Sequence, residues 1–217
     1  MVTIINFDQP FIIHKEVACY SPVLRAAFAS NFVEGQTQTY TLDIGIYGVD
    51  DGGLQLVVQW RYRQSFKPCL TQAESEAFMR HETSYQEILV KVCQFQGSLL
   101  NAWVIADYLQ LPRCQNLVVD EFDRLWFKYR ISGLINLEYL YKNLPQESTL
   151  RKLTFEHCRR FLTIAYYKHT PNPEVLFPHA YLLDCVVADR ADKANPPAKD
   201  PFTDREEFKR RFHVPEE

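Results

Sequence analysis

Glycine is scarce, 7 of 217 residues, and the glycines present never take the spacing of a phosphate-cradling loop. Gly45, Gly48, Gly52 and Gly53 fit neither G-x-G-x-x-G nor G-x-x-x-x-G-K, which excludes those two nucleotide-binding designs. The six cysteines, Cys19, Cys69, Cys93, Cys114, Cys158 and Cys185, contain no C-x-x-C pair and no close His-Cys cluster. A zinc ribbon or finger is therefore not encoded, and reduced, buried thiols are expected. His81-Glu82 lacks the second histidine of H-E-x-x-H, because position 85 is Tyr, so a zinc protease of that kind is excluded too. Long apolar runs are missing as well. Val2 to Ile5 is too short for a signal peptide, and no stretch approaches the 18 apolar residues of a membrane span. A soluble protein of the cytoplasm and/or nucleus, with no membrane partner, is the expectation.

An excess of charge is also lacking. The formal net charge is −3 and the isoelectric point about 6.1, so nothing draws the whole chain to nucleic acid. The short basic clusters Arg159-Arg160 and Lys209-Arg210-Arg211 adjoin Glu156 and Glu206-Glu207, and read as solvated helix faces. His14 has no serine, cysteine or carboxylate constellation in a recognisable pattern beside it, which makes it a structural histidine. No catalytic residue, metal ligand or cofactor is expected, and no nucleic-acid partner.

What is present is apolar periodicity: 47% of the residues are hydrophobic, ample for a core. Val2 to Asn6 and Phe11 to Ile13, separated by Phe7-Asp8-Gln9-Pro10, read as a hairpin. His14-Lys15 leads into a short helix ending at Tyr20. Ser21-Pro22 then opens a second helix, with the serine oxygen free to cap and the proline at a position that needs no N–H. Thr37 to Leu42 alternates like a third strand. Leu54, Val57, Val58 and Tyr62 follow Asp50-Asp51-Gly52-Gly53 at helical spacing. Leu100 to Leu111 forms another helix stopped by Pro112, and Leu117 to Trp126 the next. Leu134 to Leu144, and Leu150 to Ile164 after the Ser148 cap, extend the helical part. Beyond Thr170 prolines cut the chain, leaving Tyr181 to Ala188 as an apolar run and Pro196-Pro197 as a linker. Residues 203–212 place acid early and base late, as a short helix favours, and either dock through Phe208 and Phe212 or fray.

The segment from Phe11 to Phe28, FIIHKEVACYSPVLRAAF, resembles the BTB/POZ family, where a strand ending in His-Lys or His-Arg leads through a Ser-Pro helix start to an Ala-x-Phe or Ala-Ala-Phe finish. Asn31-Phe32-Val33-Glu34, Thr37 to Leu42, Trp60-Arg61-Tyr62 and Ala106 to Pro112 continue the resemblance in order, over most of residues 2–126. It implies an α+β fold, a small sheet flanked by helices, over residues 1–130, with an insertion at about 67–97. A helical extension over 131–190 and a Pro-rich linker with a short tail helix over 191–217 would follow.

The resemblance also implies a non-catalytic protein-interaction module that self-associates, recruits partners, or both. In its sharpest form this is an adaptor for a cullin-type ubiquitin ligase. The alternative is an oligomerisation scaffold in transcriptional regulation with no ligase role. Phe32-Val33-Glu34 falls where cullin-recruiting members carry a hydrophobic-x-Glu motif, and Tyr62 where the family places a tyrosine near that surface. The bland readings are that Phe32 packs under its loop with Glu34 solvated, and that Tyr62 half-closes the core. His14 and Lys15 fall in the charged pocket of the family's homodimers, but the position of the partnering Asp falls on Met1, and no exchanged N-terminal strand precedes the hairpin. The glycine usual two residues after that tyrosine is replaced by Gln64.

Overall fold

The computed structural model describes residues 1–6, 9–42, 52–129, 137–162, 176–195 and 199–216. The expected turn residues Phe7 and Asp8, the cap residues Asp50 and Asp51, Leu134, Ile164 and the Pro196-Pro197 linker lie outside these. The fold is α+β, a small sheet with helices around it followed by a helical extension. The chain divides into two compact units, Met1–Val118 with Pro215–Glu217, and Val119–Val214.

In the first unit, β1 (Val2–Asn6) and β2 (Gln9–Ile13) form the expected hairpin, antiparallel from Val2↔Ile13 to Asn6↔Gln9. Val2, Ile4 and Asn6 turn inward and alternate with half-buried Thr3 and Ile5, the period of a strand with one core face. The chain then runs through α1 (Lys15–Ala18), α2 (Pro22–Ala29) and α3 (Val33–Thr37) before β3 (Thr39–Thr41) joins β1 in parallel, giving the order β2-β1-β3. The third strand is shorter than its alternation predicts. Thr37 closes α3 instead, and Gln38 at φ 54° re-aims the chain into β3.

Next come α4 (Gly52–Arg63), α5 (Gln72–Met79), α6 (Tyr85–Tyr108) and α7 (Pro112–Tyr129). Helix α5 opens on a full capping box between Thr71 and Glu74, and α6 on Ser84. The stretch expected as an insertion therefore holds α5 and the first half of α6, two helical segments. The second runs unbroken to Tyr108, because Ile88, Val92 and Leu99 prolong the buried stripe of the same helix. Contrary to the sequence expectation, α6 is long and apolar enough, by length and composition, to cross a membrane. Here it is a core helix, with Leu99, Leu100, Ile105 and Ala106 fully buried. It packs along α4 so closely at Gly53 that an added Cβ there would lie 2.4 Å from the Asn101 Cβ.

The end of α6 is a Schellman turn: the Leu111 N–H donates to the Ala106 carbonyl at 2.8 Å, and the Gln110 N–H to Asp107 at 3.0 Å. Gln110 sits at φ 54° in the position glycine usually fills. The helix thus ends short of Leu111, at a turn of its own and not at Pro112, which opens α7. The Ser21 hydroxyl ties this end to the opening corner. It donates to the Leu109 carbonyl at 2.8 Å while accepting from the Leu24 N–H at 3.2 Å, and the serine is 1% exposed.

The second unit contains the rest of α7, then α8 (Leu137–Asn143), α9 (Thr149–Phe161), α10 (His179–Ala194) and α11 (Arg205–Phe212). Leu137, Cys158, Phe177 and Tyr181 form one core cluster. A second is aromatic: His157 stacks on Trp126 at 5.5 Å and on Phe202 at 4.9 Å, and Phe202 stacks on Phe212 at 5.9 Å. The tail thus docks and does not fray. Phe208 and Phe212 are buried, Asp204 caps the helix through the Glu206 and Glu207 amides, and His213 and Arg205 both reach Asp120. Arg159 is not the solvated side chain its sequence context predicts. It is 11% exposed and pairs with Glu156, Asp189 and Asp192. All six cysteines are free thiols, and burial pushes Cys114 up to about 12.

Two outcomes follow from these contacts. Ser21→Ala removes a cap and leaves a buried carbonyl without its donor, and is expected to cost about 1–3 kcal/mol in denaturant unfolding. His157 is held below its ordinary pKa of 6.5 by burial, an effect that the Asp123 carboxylate at 3.0 Å only partly offsets. A lowered folded pKa means that the unfolded chain binds the proton first. The stability contributed by neutral His157 is therefore full above about pH 6.5 and falls as the pH drops towards the folded value. NMR titration of the His157 ring is expected to give a midpoint below 6.5; a midpoint above it would mean that Asp123 outweighs burial.

Candidate partner-binding site

The opening corner sits against the end of α4. The His14 amide donates to the Tyr62 hydroxyl at 3.1 Å, the His14 Nδ1 lies 2.8 Å from the same oxygen, and the rings meet edge to face at 5.9 Å. One phenol therefore fixes both backbone and ring of the residue that ends the hairpin. Tyr62 is 48% exposed, so it neither closes the core nor stands free of it. Lys15 begins α1 beside this contact and is half-buried, with Glu16 exposed next to it. Arg61, one residue before Tyr62, lays its guanidinium over the Tyr20 ring at 4.5 Å and donates to the Ala18 carbonyl at 3.4 Å. Burial lowers its pKa to about 10, with Tyr20 and the thiols of Cys114 and Cys19 acting the other way.

The expected glycine after Tyr62 is absent, yet the backbone turn it would make is not. Gln64 takes φ 55°, with its amide donating to the Trp60 carbonyl at 2.7 Å and its side chain to the same oxygen at 3.2 Å. The side-chain amide offsets part of the cost of a left-handed non-glycine residue.

Phe32, Val33 and Glu34 lie on a separate turn. Phe32 precedes α3 as its cap residue and is 77% exposed, and Val33 is 69% exposed. Phe32 therefore does not pack beneath its loop. Glu34 is half-buried in the first turn of α3, on the side where its charge helps hold the Tyr40 phenol un-ionised. Burial is the larger cause of that shift, followed by the Tyr108 hydroxyl 3.0 Å away. Among the described residues, no hydrogen bond, ion pair or ring contact joins Phe32, Val33 or Glu34 to His14 or Tyr62. The Tyr40–Tyr108 pair and the Arg61–Tyr20 stack had no signal in the sequence, since their partners lie 68 and 41 positions apart.

The turn is held by its own backbone. The Ser30 hydroxyl donates to the Ala27 carbonyl at 2.7 Å and accepts from the Phe32 amide at 3.3 Å; Thr37 donates to the Val33 carbonyl at 2.8 Å; and the Gln36 side chain donates to Asn31 at 2.9 Å. Gly35 lies flat on the preceding strand of chain, where a Cβ would fall 1.8 Å from the Ser30 oxygen. Two large apolar side chains are thus presented to solvent on a pre-formed frame, so little ordering entropy remains to be lost on binding. The turn offers an exposed apolar pair with a carboxylate beside it. Among the described residues no group of three or more His, Cys, Asp or Glu is placed to hold a metal ion.

Compared with known proteins, the chain matches no family model and no curated protein.

Gly35→Ala forces α3 away from Ser30. It is expected to destabilise the chain by about 1–3 kcal/mol, the range for overpacking, and to raise amide exchange across residues 30–38. Unchanged exchange there would show that the turn is not built on this contact.

Proposed function

We propose that the first unit is a BTB/POZ-like, non-catalytic protein-interaction module, and that its sharpest role is as an adaptor recruiting partners to a cullin-type ubiquitin ligase. The observation that carries the reading is Phe32, 77% exposed on a turn that Gly35 and Ser30 hold in place. A rigid exposed aromatic is the kind of residue that fills a partner's pocket and dominates an interface. Glu34, two residues on, supplies a charge to orient the partner through a hydrogen bond. Further support comes from the order of elements, a hairpin followed by three short helices and a parallel third strand, and from the left-handed turn at Gln64, where the family's pattern has glycine.

The second reading, an oligomerisation scaffold in transcriptional regulation with no ligase contact, is favoured by Ile12. It is 66% exposed on β2, an outer strand of the three-stranded sheet. An apolar outer strand is a template on which another chain can pair.

The adaptor reading is tested by pull-down of a cullin scaffold. Binding is expected, and Phe32→Ala with Glu34→Ala is expected to weaken it at least about tenfold in a chain whose circular dichroism is unchanged. No binding by the unmutated chain ends the adaptor reading. A strict monomer by light scattering at high concentration ends the scaffold reading.

A further inference from the structure

Helix α10 carries its apolar residues on the wrong side for a helix that only supports a core. Tyr181 and Cys185 face inward, yet Leu182, Leu183, Val186 and Val187 are 42%, 55%, 53% and 60% exposed. Their i, i+1, i+4, i+5 spacing places them on one face, a contiguous apolar patch of the kind that marks an interaction site.

The charges of α10 are sorted around this patch. All three aspartates are engaged in pairs within the unit, Asp184 at the edge of the patch and Asp189 and Asp192 on its far side. Asp184 accepts from the Tyr141 hydroxyl at 3.0 Å and pairs with Arg151 at 3.7 Å, while Asp189 and Asp192 pair with Arg159 at 3.0 and 2.8 Å. The cations behave oppositely. Arg190, three and four residues beyond Val187 and Val186, continues the exposed face, and Lys193 follows it by another turn; neither makes an ion pair among the described residues. Beside the patch is a cleft of about 230 Å³, in which Val187 faces Tyr141 and Phe155 and exposed Lys152 stands at the rim. Among the described residues the other charges on the cleft are Arg151 and Asp184, which pair with each other.

We propose that this face of α10, with its cleft, docks an acidic amphipathic helix of a partner protein. One large apolar side chain of the partner enters the cleft between Tyr141, Phe155 and Val187. Its apolar stripe lies along Leu183 and Val186, and its carboxylates meet Arg190, Lys193 and Lys152. A second copy of this chain fits poorly. The patch spans only about 8 Å of helix axis, whereas a standard interface covers roughly 800 Å² per partner, and like cations would be brought together. A lipid surface uses the cations but has no side chain with which to fill a concave cleft. The surface lies wholly in the second unit, so it operates whether or not Phe32 binds a cullin.

The test uses the full chain and two fluorescent synthetic helical peptides with the same leucine pattern, one flanked by glutamates and one by lysines, together with anionic phospholipid vesicles. The glutamate peptide is expected to bind and the lysine peptide not to. Leu183→Glu with Val187→Glu is expected to weaken binding about tenfold or more, and Arg190→Glu with Lys193→Glu to shift the preference to the lysine peptide, both with unchanged circular dichroism. The charge swap keeps the test decisive if the apolar variant fails to fold. Failure of the glutamate peptide to bind, equal binding of both peptides, or a preference untouched by the charge swap overturns the proposal. So does sedimentation with vesicles without peptide binding, or a dimer that Val187→Glu dissolves.

Discussion

A single hydroxyl, that of Ser21, has two obligations in the first unit, and the arrangement of everything around it follows from meeting both. It caps α2, a local duty that any serine before a proline-led helix can perform. It also satisfies the carbonyl of Leu109, the residue that caps α6, 88 positions away, in a buried place. A buried carbonyl without a donor is costly, so the corner after the hairpin and the end of the longest helix must stay together for either to be stable. The left-handed turn at Gln110 follows directly on the Leu109 carbonyl, and Pro112 then starts α7.

With the corner fixed, the exposed groups around it are fixed too. Tyr62 is held by His14 on one side while its other face remains in solvent, and Phe32 is held outward by a turn with no room for a side chain at Gly35. Neither placement serves the core. Exposed aromatic and aliphatic side chains on rigid frames recur in the second unit, where α10 spends its aspartates on intramolecular pairs and leaves leucine, valine, arginine and lysine outside. Each unit thus offers apolar anchors to solvent, the arrangement that the proposed binding role would draw on, since recognition energy concentrates in a few well-supported residues.

In the second unit aromatic packing joins aliphatic burial. His157, Trp126, Phe202 and Phe212 form a continuous stack, and the tail helix α11 completes it. Asp123 of α7 pairs with His157 inside this stack, and Asp120, one turn earlier on α7, takes His213 and Arg205 from the two ends of the tail helix.

Much of this was legible along the chain, because it is governed by interactions within four or five residues. The hairpin alternation, the Ser21-Pro22 and Ser148 helix starts, the amphipathic stripes from Leu54 to Trp126 and the acid-to-base order of the tail helix are local, and each appears where its chemistry put it. What the chain could not declare is which exposed-looking residues are exposed. Gln64 and Gln110 take left-handed conformations that their side chains do not favour, because a capped turn is required there by contacts made elsewhere. Arg159 looked solvated and is largely enclosed by acids, whereas in the apolar run from Tyr181 to Ala188 Tyr181 and Cys185 face inward and Leu182, Leu183, Val186 and Val187 face solvent. Burial is a property of what comes to lie opposite a residue, so it was decided only when segments tens of positions apart were packed against one another.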